Sequence, residues 1–140
     1  MNVVNFSFRK ISIEKFKDNF DKINAKTNID ISDISSLKQD LFKTKEEFLG
    51  VKFNFSLIYE PDVARIDLSG DIILTLDSKL VKDVLKEWKD KKMPDDFRIE
   101  VFNIILRKAH LKSLELEDEM NLPAHVSFPI IKKENVKNSD

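Results

Sequence analysis

The chain has 140 residues, of which 41% are hydrophobic and 35% charged, a composition typical of one globular domain with a well-solvated surface. Its formal net charge of −1 gives no global field that would draw the protein onto nucleic acid or an anionic membrane. It contains no cysteine, which excludes disulfides, thiolate chemistry and the common structural zinc sites.

The first predicted element is a strand from Val4 to Ile13. Apolar and polar residues alternate as far as Phe8, and the alternation then changes phase so that Ile11 and Ile13 face inward. One extra residue in a strand exchanges its two faces, so we expect a β-bulge near Lys10.

A long connection with apolar anchors is predicted next, over "EKFKDNFDKINAKTN", because this stretch has no clean periodicity. Its anchors are Phe16, Phe20 and Ile23. A second strand follows in "IDISDISSL", with a bulge before Ile34. The residues that lead from there to Gly50 are predicted to form a turn of helix or a loop.

Strict alternation of apolar and polar residues predicts two further strands, in "VKFNFSLIYE" and "ARIDLSGDIILTL". Alternation of this length is typical of a sheet with one buried and one wet face. Pro61 stands at the second position of the intervening "EPDV", where a proline presets φ for a turn. Gly70, in mid-strand, indicates a bulge or a close backbone approach. The four strands together predict an antiparallel sheet.

Two helices are predicted after the sheet. The first is capped by Asp77 or Ser78, carries an apolar side that includes Trp88, and extends within 78–93. The second runs over 95–119, after a proline and with acidic residues at its start, where they favour a helix N-terminus.

The predicted fold class is therefore α+β: a four-stranded antiparallel sheet, a long C-terminal helix packed on one face, and an extra helix before it. We expect a single domain over 1–131 and a disordered tail over 132–140.

The long helix has more apolar residues than one buried face requires. A wide face that includes Val101 and Ile105 is assigned to the chain's own sheet. Phe97, Ile104 and Leu111 recur at seven-residue spacing on another side, and such an apolar surface on a soluble protein usually marks an interface. This second stripe predicts a homo-oligomer built through the helix. The alternative is that the helix around Trp88, or the segment after the last helix, covers the stripe internally.

No motif in the sequence indicates catalysis, a cofactor or a metal. His110 and His125 lack partners at metal-ligand spacing and are predicted to be surface or packing residues. The cluster "ELEDE", at the end of the long helix, is predicted to be a solvated acidic helix end. The sequence has no P-loop, dinucleotide fingerprint or nucleophile elbow, and no basic stripe with aromatic platforms for nucleic acid. An enzyme is therefore the least favoured class.

The beginning "MNVVNFSFRK" lacks the pattern of a signal peptide, and no apolar run is long enough to span a membrane. We therefore expect a cytoplasmic protein without membrane insertion.

The order of these parts resembles the SecB family of export chaperones. "FSFRKISIEKF" is similar to the first SecB strand, and "FKDNFDKINAKTNIDISDIS" to its crossover with aromatic anchors and its second strand. "VKFNFSLIYEPDVARIDLSGDIILTL" is similar to the hairpin, and "NLPAHVSFPII" to the turn and segment after the main helix. The tail "KKENVKNSD" has no clear counterpart of the family's partner-binding tail, so a SecA-type motor is an open question.

The resemblance implies a tetramer, arranged as a dimer of dimers, whose apolar grooves hold unfolded polypeptide clients without ATP. Phe16 and Phe20 match the aromatic lining of the family's groove, with Leu122, Val126 and Phe128 opposite. Phe42, outside the regular elements, adds to the available apolar surface. Two alternatives remain: an oligomeric interaction scaffold whose aromatic residues merely pack, and a relative that guards an antitoxin rather than serving export.

Overall fold

The computed structural model describes residues 1–37 and 46–133. Four strands are followed by two helices. Their bounds are β1, Asn2–Lys15; β2, Asn24–Leu37; β3, Glu46–Glu60; β4, Ala64–Asp77; α1, Ser78–Trp88; and α2, Asp95–Glu119.

The strands form one antiparallel sheet in the order β1-β4-β3-β2. Because β1 and β2 lie at opposite edges, the connection between them crosses from one edge to the other. β3 and β4 form a hairpin whose turn contains a cis Glu60–Pro61 peptide bond and Asp62 at φ 56°. The predicted α+β class, with a four-stranded antiparallel sheet and a long last helix, is confirmed.

Two predicted bulges are present. The β1–β4 register shifts between Phe8 and Lys10, and the β2–β3 register shifts between Ile31 and Asp33. A further shift between Val3 and Asn5 was not predicted. The first bulge puts Ile11 and Ile13 opposite Leu68 and Ile66 of the buried face, as the change of phase in the sequence indicates. Ile11 was expected to be buried but is 48% exposed, because β1 is an edge strand.

The connection between β1 and β2 is shorter than predicted. β1 continues to Lys15 and β2 begins at Asn24, whereas the sequence placed the start of the second strand at Ile29. The first residues of β2 are exposed, so they carry polar side chains on both faces and show no alternation. Likewise, β3 begins at Glu46 instead of after a loop that ends at Gly50.

One face of the sheet is covered by the two helices. The inward residues of β3 and β4 alternate as the sequence predicts, and Val51, Phe53, Leu57, Ile66 and Leu74 are all at most 1% exposed. On the opposite face, polar side chains remain accessible along both strands. The core is thus a sheet face under a helical layer.

α1 begins where Asp77 accepts a hydrogen bond from the Leu80 N–H at 2.8 Å, one of the two predicted caps. The helix ends at Trp88, earlier than the predicted limit of residue 93. Its buried residues, Val81 and Val84, belong to the same apolar cluster as the first half of α2.

The predicted second stripe of α2 divides between the core and the surface. Phe97 is only 2% exposed and belongs to the protomer's own core, together with Val101 and Ile105. Its side chain therefore has no free surface to offer an interface. Ile104 packs at the border of this cluster, and Leu111 is 59% exposed.

The reason for this division is the spacing of the buried positions. Phe97, Val101, Ile105, Ala109, Ser113 and Glu117 recur every four residues, and each such step advances about 40° around a helix of about 3.6 residues per turn. The buried side therefore rotates along α2. At Phe97 the buried side of α2 and the seven-residue stripe face the same direction. At Leu111 they face nearly opposite directions.

Candidate functional site

Three parts of the chain meet at the end of the sheet that carries the β3–β4 turn, which we call the turn end. The backbone N–H of Phe16, at the start of the crossover, donates to the Val63 carbonyl at 2.7 Å. The Lys15 ammonium donates to the Met120 carbonyl at 3.2 Å. The crossover, the turn and the end of α2 are therefore held together.

Phe16 is 51% exposed at this end. Together with Ile58, Pro61 and Arg65 it lines a depression of about 480 Å³ beside the turn. An aromatic side chain at such a position is available to a ligand without rearrangement of the core.

Phe20 and Leu122 do not lie beside Phe16. They meet in the apolar cluster beneath the end of α2. Leu122 is 7% exposed and lies in the cluster with Tyr59 and Val63, and Phe20 packs against it. The Leu122 N–H also donates to the Glu117 carbonyl at 2.9 Å. These two side chains thus fasten the crossover and the chain after α2 to the core.

The chain after α2, residues 121–133, is called here the terminal segment. Val126 and Phe128 are 38% and 59% exposed. Ile130 and Ile131, which the sequence interpretation did not single out, are 67% and 86% exposed. Residues 121–132 contain no helix or strand. Phe42 and residues 134–140 of the predicted tail lie outside the described residues.

A buried polar network that the sequence did not predict lies beside this segment. Glu117 is 1% exposed, and its carboxylate accepts a hydrogen bond from the Tyr59 hydroxyl. Its other oxygen lies 2.8 Å from Nδ1 of His125, whose side chain is 3% exposed. The prediction of a solvated acidic helix end is therefore wrong for Glu117, because it lies on the rotated buried side of α2.

His110 extends the network. Its Nδ1 lies 2.6 Å from Nε2 of His125, and the two rings stack with centroids 4.8 Å apart. The rings of His110 and Phe55 also meet nearly at right angles, with centroids 6.0 Å apart. Burial lowers the pKa of His110 below its ordinary value, and the neighbouring His125 lowers it further. Both histidines are packing residues, one of the two predicted roles.

Ser113 lies one turn before Glu117 on the same side of α2 and is fully buried. Its hydroxyl has no hydrogen-bond partner in the described part of the chain. Among the same residues, no group of three or more His, Asp or Glu side chains is arranged to hold a metal ion. No helix there has the length and apolarity needed to cross a membrane.

The sequence matches no protein-family model and no curated protein. Among solved structures, the chain is similar to a SecB-like chaperone from Mycobacterium tuberculosis, solved in complex with a ChAD peptide from an antitoxin. The two share 9% sequence identity and a TM-score of 0.48, over 94% of this chain and 91% of that chain. The neighbour carries the same family name as the resemblance drawn from the sequence.

Proposed function

We propose that this protein is an ATP-independent holdase that binds apolar segments of unfolded or non-native polypeptides at the turn end of the sheet. The observation that supports this most strongly is the exposure of large apolar side chains on the crossover and on the terminal segment. Phe16 on the crossover and Phe128 on the terminal segment are each more than half exposed.

Exposed apolar side chains that occur singly are normal, but a concentration of them is not. Here the terminal segment carries four within six residues: Val126, Phe128, Ile130 and Ile131. Lys15 donates to the carbonyl of Met120, the residue just before this segment, so the start of the segment lies close to the crossover that carries Phe16. Such a surface suits a ligand that is extended, apolar and variable in sequence.

The sheet edges offer a second kind of contact. β1 and β2 are the outer strands, so each has one row of backbone groups that is not paired within the sheet. An extended polypeptide can add to such an edge through main-chain hydrogen bonds, which do not depend on its sequence. Nonspecific apolar burial and main-chain bonding together favour many unfolded clients over one folded partner.

Self-association through α2 is a second proposal, supported by the exposure of Leu111 at 59%. Leu111 lies on the side of α2 away from the sheet, so a second copy of the chain is able to cover it without disturbing the core. The resemblance to SecB implies a dimer of dimers. Phe97 takes no part in this proposed interface, because the protomer's own core already buries it.

Suppression of aggregation tests the holdase proposal. A heat-denatured client is mixed with the protein at equal chain ratios and light scattering is followed. We expect the wild type to suppress scattering and the double variant Phe16→Asp/Phe128→Asp to lose most of that effect. Phe20 is unsuitable for substitution, since it packs on the core.

The control is Ile99→Asp, which places one carboxylate, where the double variant places two, at an apolar site of similar exposure, 55%, near the start of α2. It should protect the client as well as the wild type does. Equal protection by the double variant and the wild type would remove the proposed site, and no protection by the wild type would remove the proposed function.

A further inference from the structure

Two attachments hold the terminal segment to the rest of the protomer in the described residues. Leu122 is buried in the cluster beneath α2, and its N–H bonds to Glu117. Beyond it, the side-chain hydrogen bonds that reach the segment pass through His125 alone. Among the described residues, His125 is therefore the last polar attachment before the exposed residues from Val126 onward.

The sequence of donors and acceptors determines which atom carries the proton in each hydrogen bond of the network. Glu117 accepts from the Tyr59 hydroxyl, and its second oxygen accepts from Nδ1–H of His125. The neutral His125 ring then has a bare Nε2, which accepts from Nδ1–H of His110. The contact between the two rings holds only while a single proton lies between those nitrogens.

The groups that face His110 come from each surrounding element. His125 of the terminal segment and the Phe55 ring of β3 contact His110 itself, Glu117 of α2 contacts His125, and the Tyr59 phenol of β3 donates to Glu117. At the end of β1, Lys15 places its ammonium against the last turn of α2. A further proton on the histidine pair adds a positive charge in a partly desolvated place.

We propose that Tyr59, Glu117, His110 and His125 form a pH-sensitive latch that holds the terminal segment on α2 at neutral pH and releases it in mild acid. A proton added to His110 places a positive charge beside His125 in a partly buried site, so it weakens the latched state relative to the released one. Release moves Val126 and Phe128 relative to the turn end, whatever ligand that surface binds.

The direction in which pH changes the latch follows from the linkage between proton binding and conformation. The lowered pKa of His110 means that the latched state holds fewer protons than the released state, in which the ring titrates near its ordinary value of about 6.5. Latching is therefore strongest above about pH 6.5 and weakens as the pH falls from there toward the lowered pKa. Each proton taken up on release shifts the equilibrium by up to about tenfold per pH unit.

The chain is well suited to test this. His110 and His125 are its only histidines, and no other side chain ordinarily titrates between about pH 5 and 8. Because the chain has no cysteine, Ser127→Cys creates a unique site for a fluorescent label on the exposed part of the segment. The anisotropy of that label reports the mobility of the segment, and the fluorescence of Trp88, the only tryptophan, reports the core.

We expect the label's anisotropy to fall between about pH 7.5 and pH 5 while Trp88 fluorescence stays constant. In His110→Asn, an amide stands where Nδ1 was and donates without titrating, so the fall should be reduced or shifted to lower pH. In His125→Ala, the anisotropy should be low at every pH.

Three results would overturn the latch. One is an anisotropy in the wild type that does not change with pH, or that changes only together with Trp88 fluorescence. Another is a His110→Asn variant with the same pH profile as the wild type. The third is a His125→Ala variant whose anisotropy at neutral pH equals that of the wild type.

Discussion

At the scale of single residues, two buried hydroxyls differ in whether they have a hydrogen-bond partner. Tyr59 donates to Glu117, a carboxylate that is 1% exposed and depends on its hydrogen bonds for compensation. Ser113 is equally buried but has no partner in the described residues. Removal of each hydroxyl should therefore change stability in opposite directions.

Tyr59→Phe should lower the free energy of unfolding by about 1–3 kcal/mol, because it leaves Glu117 short of a donor. Ser113→Ala should raise it by about 1 kcal/mol, since an unpaired hydroxyl leaves the core and alanine favours the helix. Urea denaturation of both variants measures the two changes. A loss of stability in Ser113→Ala would mean that its hydroxyl has a partner.

The partners in this network could not be predicted from the sequence. Tyr59 and Glu117 are 58 positions apart, and His125 lies outside the helix that carries its partners. A spacing rule detects residues on one helix face or one strand, whereas these four side chains meet only after the sheet, α2 and the terminal segment have packed. Only the four-residue recurrence of buried positions on α2 points toward Glu117.

At the scale of elements, the sheet was the most predictable part, since strict alternation along β3 and β4 follows directly from one buried face. The edge strands were less predictable, because the exposed start of β2 shows no alternation. The second apolar stripe on α2 was predicted to be an interface because its residues repeat every seven positions. The buried residues of the helix instead repeat every four positions. Phe97 satisfies both periods, and the structure places it in the core cluster that also contains Val81 and Val84 of α1.

The two glycines provide an element-scale prediction. A Cβ on Gly70 would lie 2.2 Å from the Ser7 carbonyl oxygen of β1, so the backbone would have to shift. Gly70→Ala should therefore destabilise the protein by about 2 kcal/mol or more, in the upper range for overpacking. At Gly50 the nearest atom is 3.3 Å away on the flexible Leu37 side chain, so Gly50→Ala should change little.

Urea denaturation compares the two alanine variants directly. Equal stability of Gly70→Ala and Gly50→Ala would show that β1 does not approach β4 as closely at Gly70 as the structure has it. A large loss in Gly70→Ala alone would support the register on both sides of the β1 bulge.

At the scale of the whole molecule, the apolar surface has two proposed uses, one on α2 and one at the turn end. Leu111→Asp addresses the first without touching the core, since that side chain is 59% exposed. We expect light scattering coupled to size-exclusion chromatography to give a multiple of the chain mass for the wild type and a smaller mass for this variant. An unpaired charge in a buried interface costs several kcal/mol.

Ile99→Asp, on another side of α2, is the matched control and should keep the wild-type mass. A wild type that runs as a single chain would contradict self-association altogether. An oligomer that survives Leu111→Asp would place the interface elsewhere, for example along an outer strand.

Direct binding of an unfolded client tests the central claim, that this surface holds polypeptides, more directly than any other measurement. A fluorescently labelled, permanently unfolded polypeptide is titrated with the protein, and its anisotropy gives a dissociation constant. Burial of a whole phenylalanine contributes about 1.5–3 kcal/mol, so loss of two half-exposed ones should weaken binding roughly tenfold or more. The account predicts saturable binding by the wild type and by Ile99→Asp, and this weakening in Phe16→Asp/Phe128→Asp. Binding that is absent, or identical in all three proteins, would contradict it.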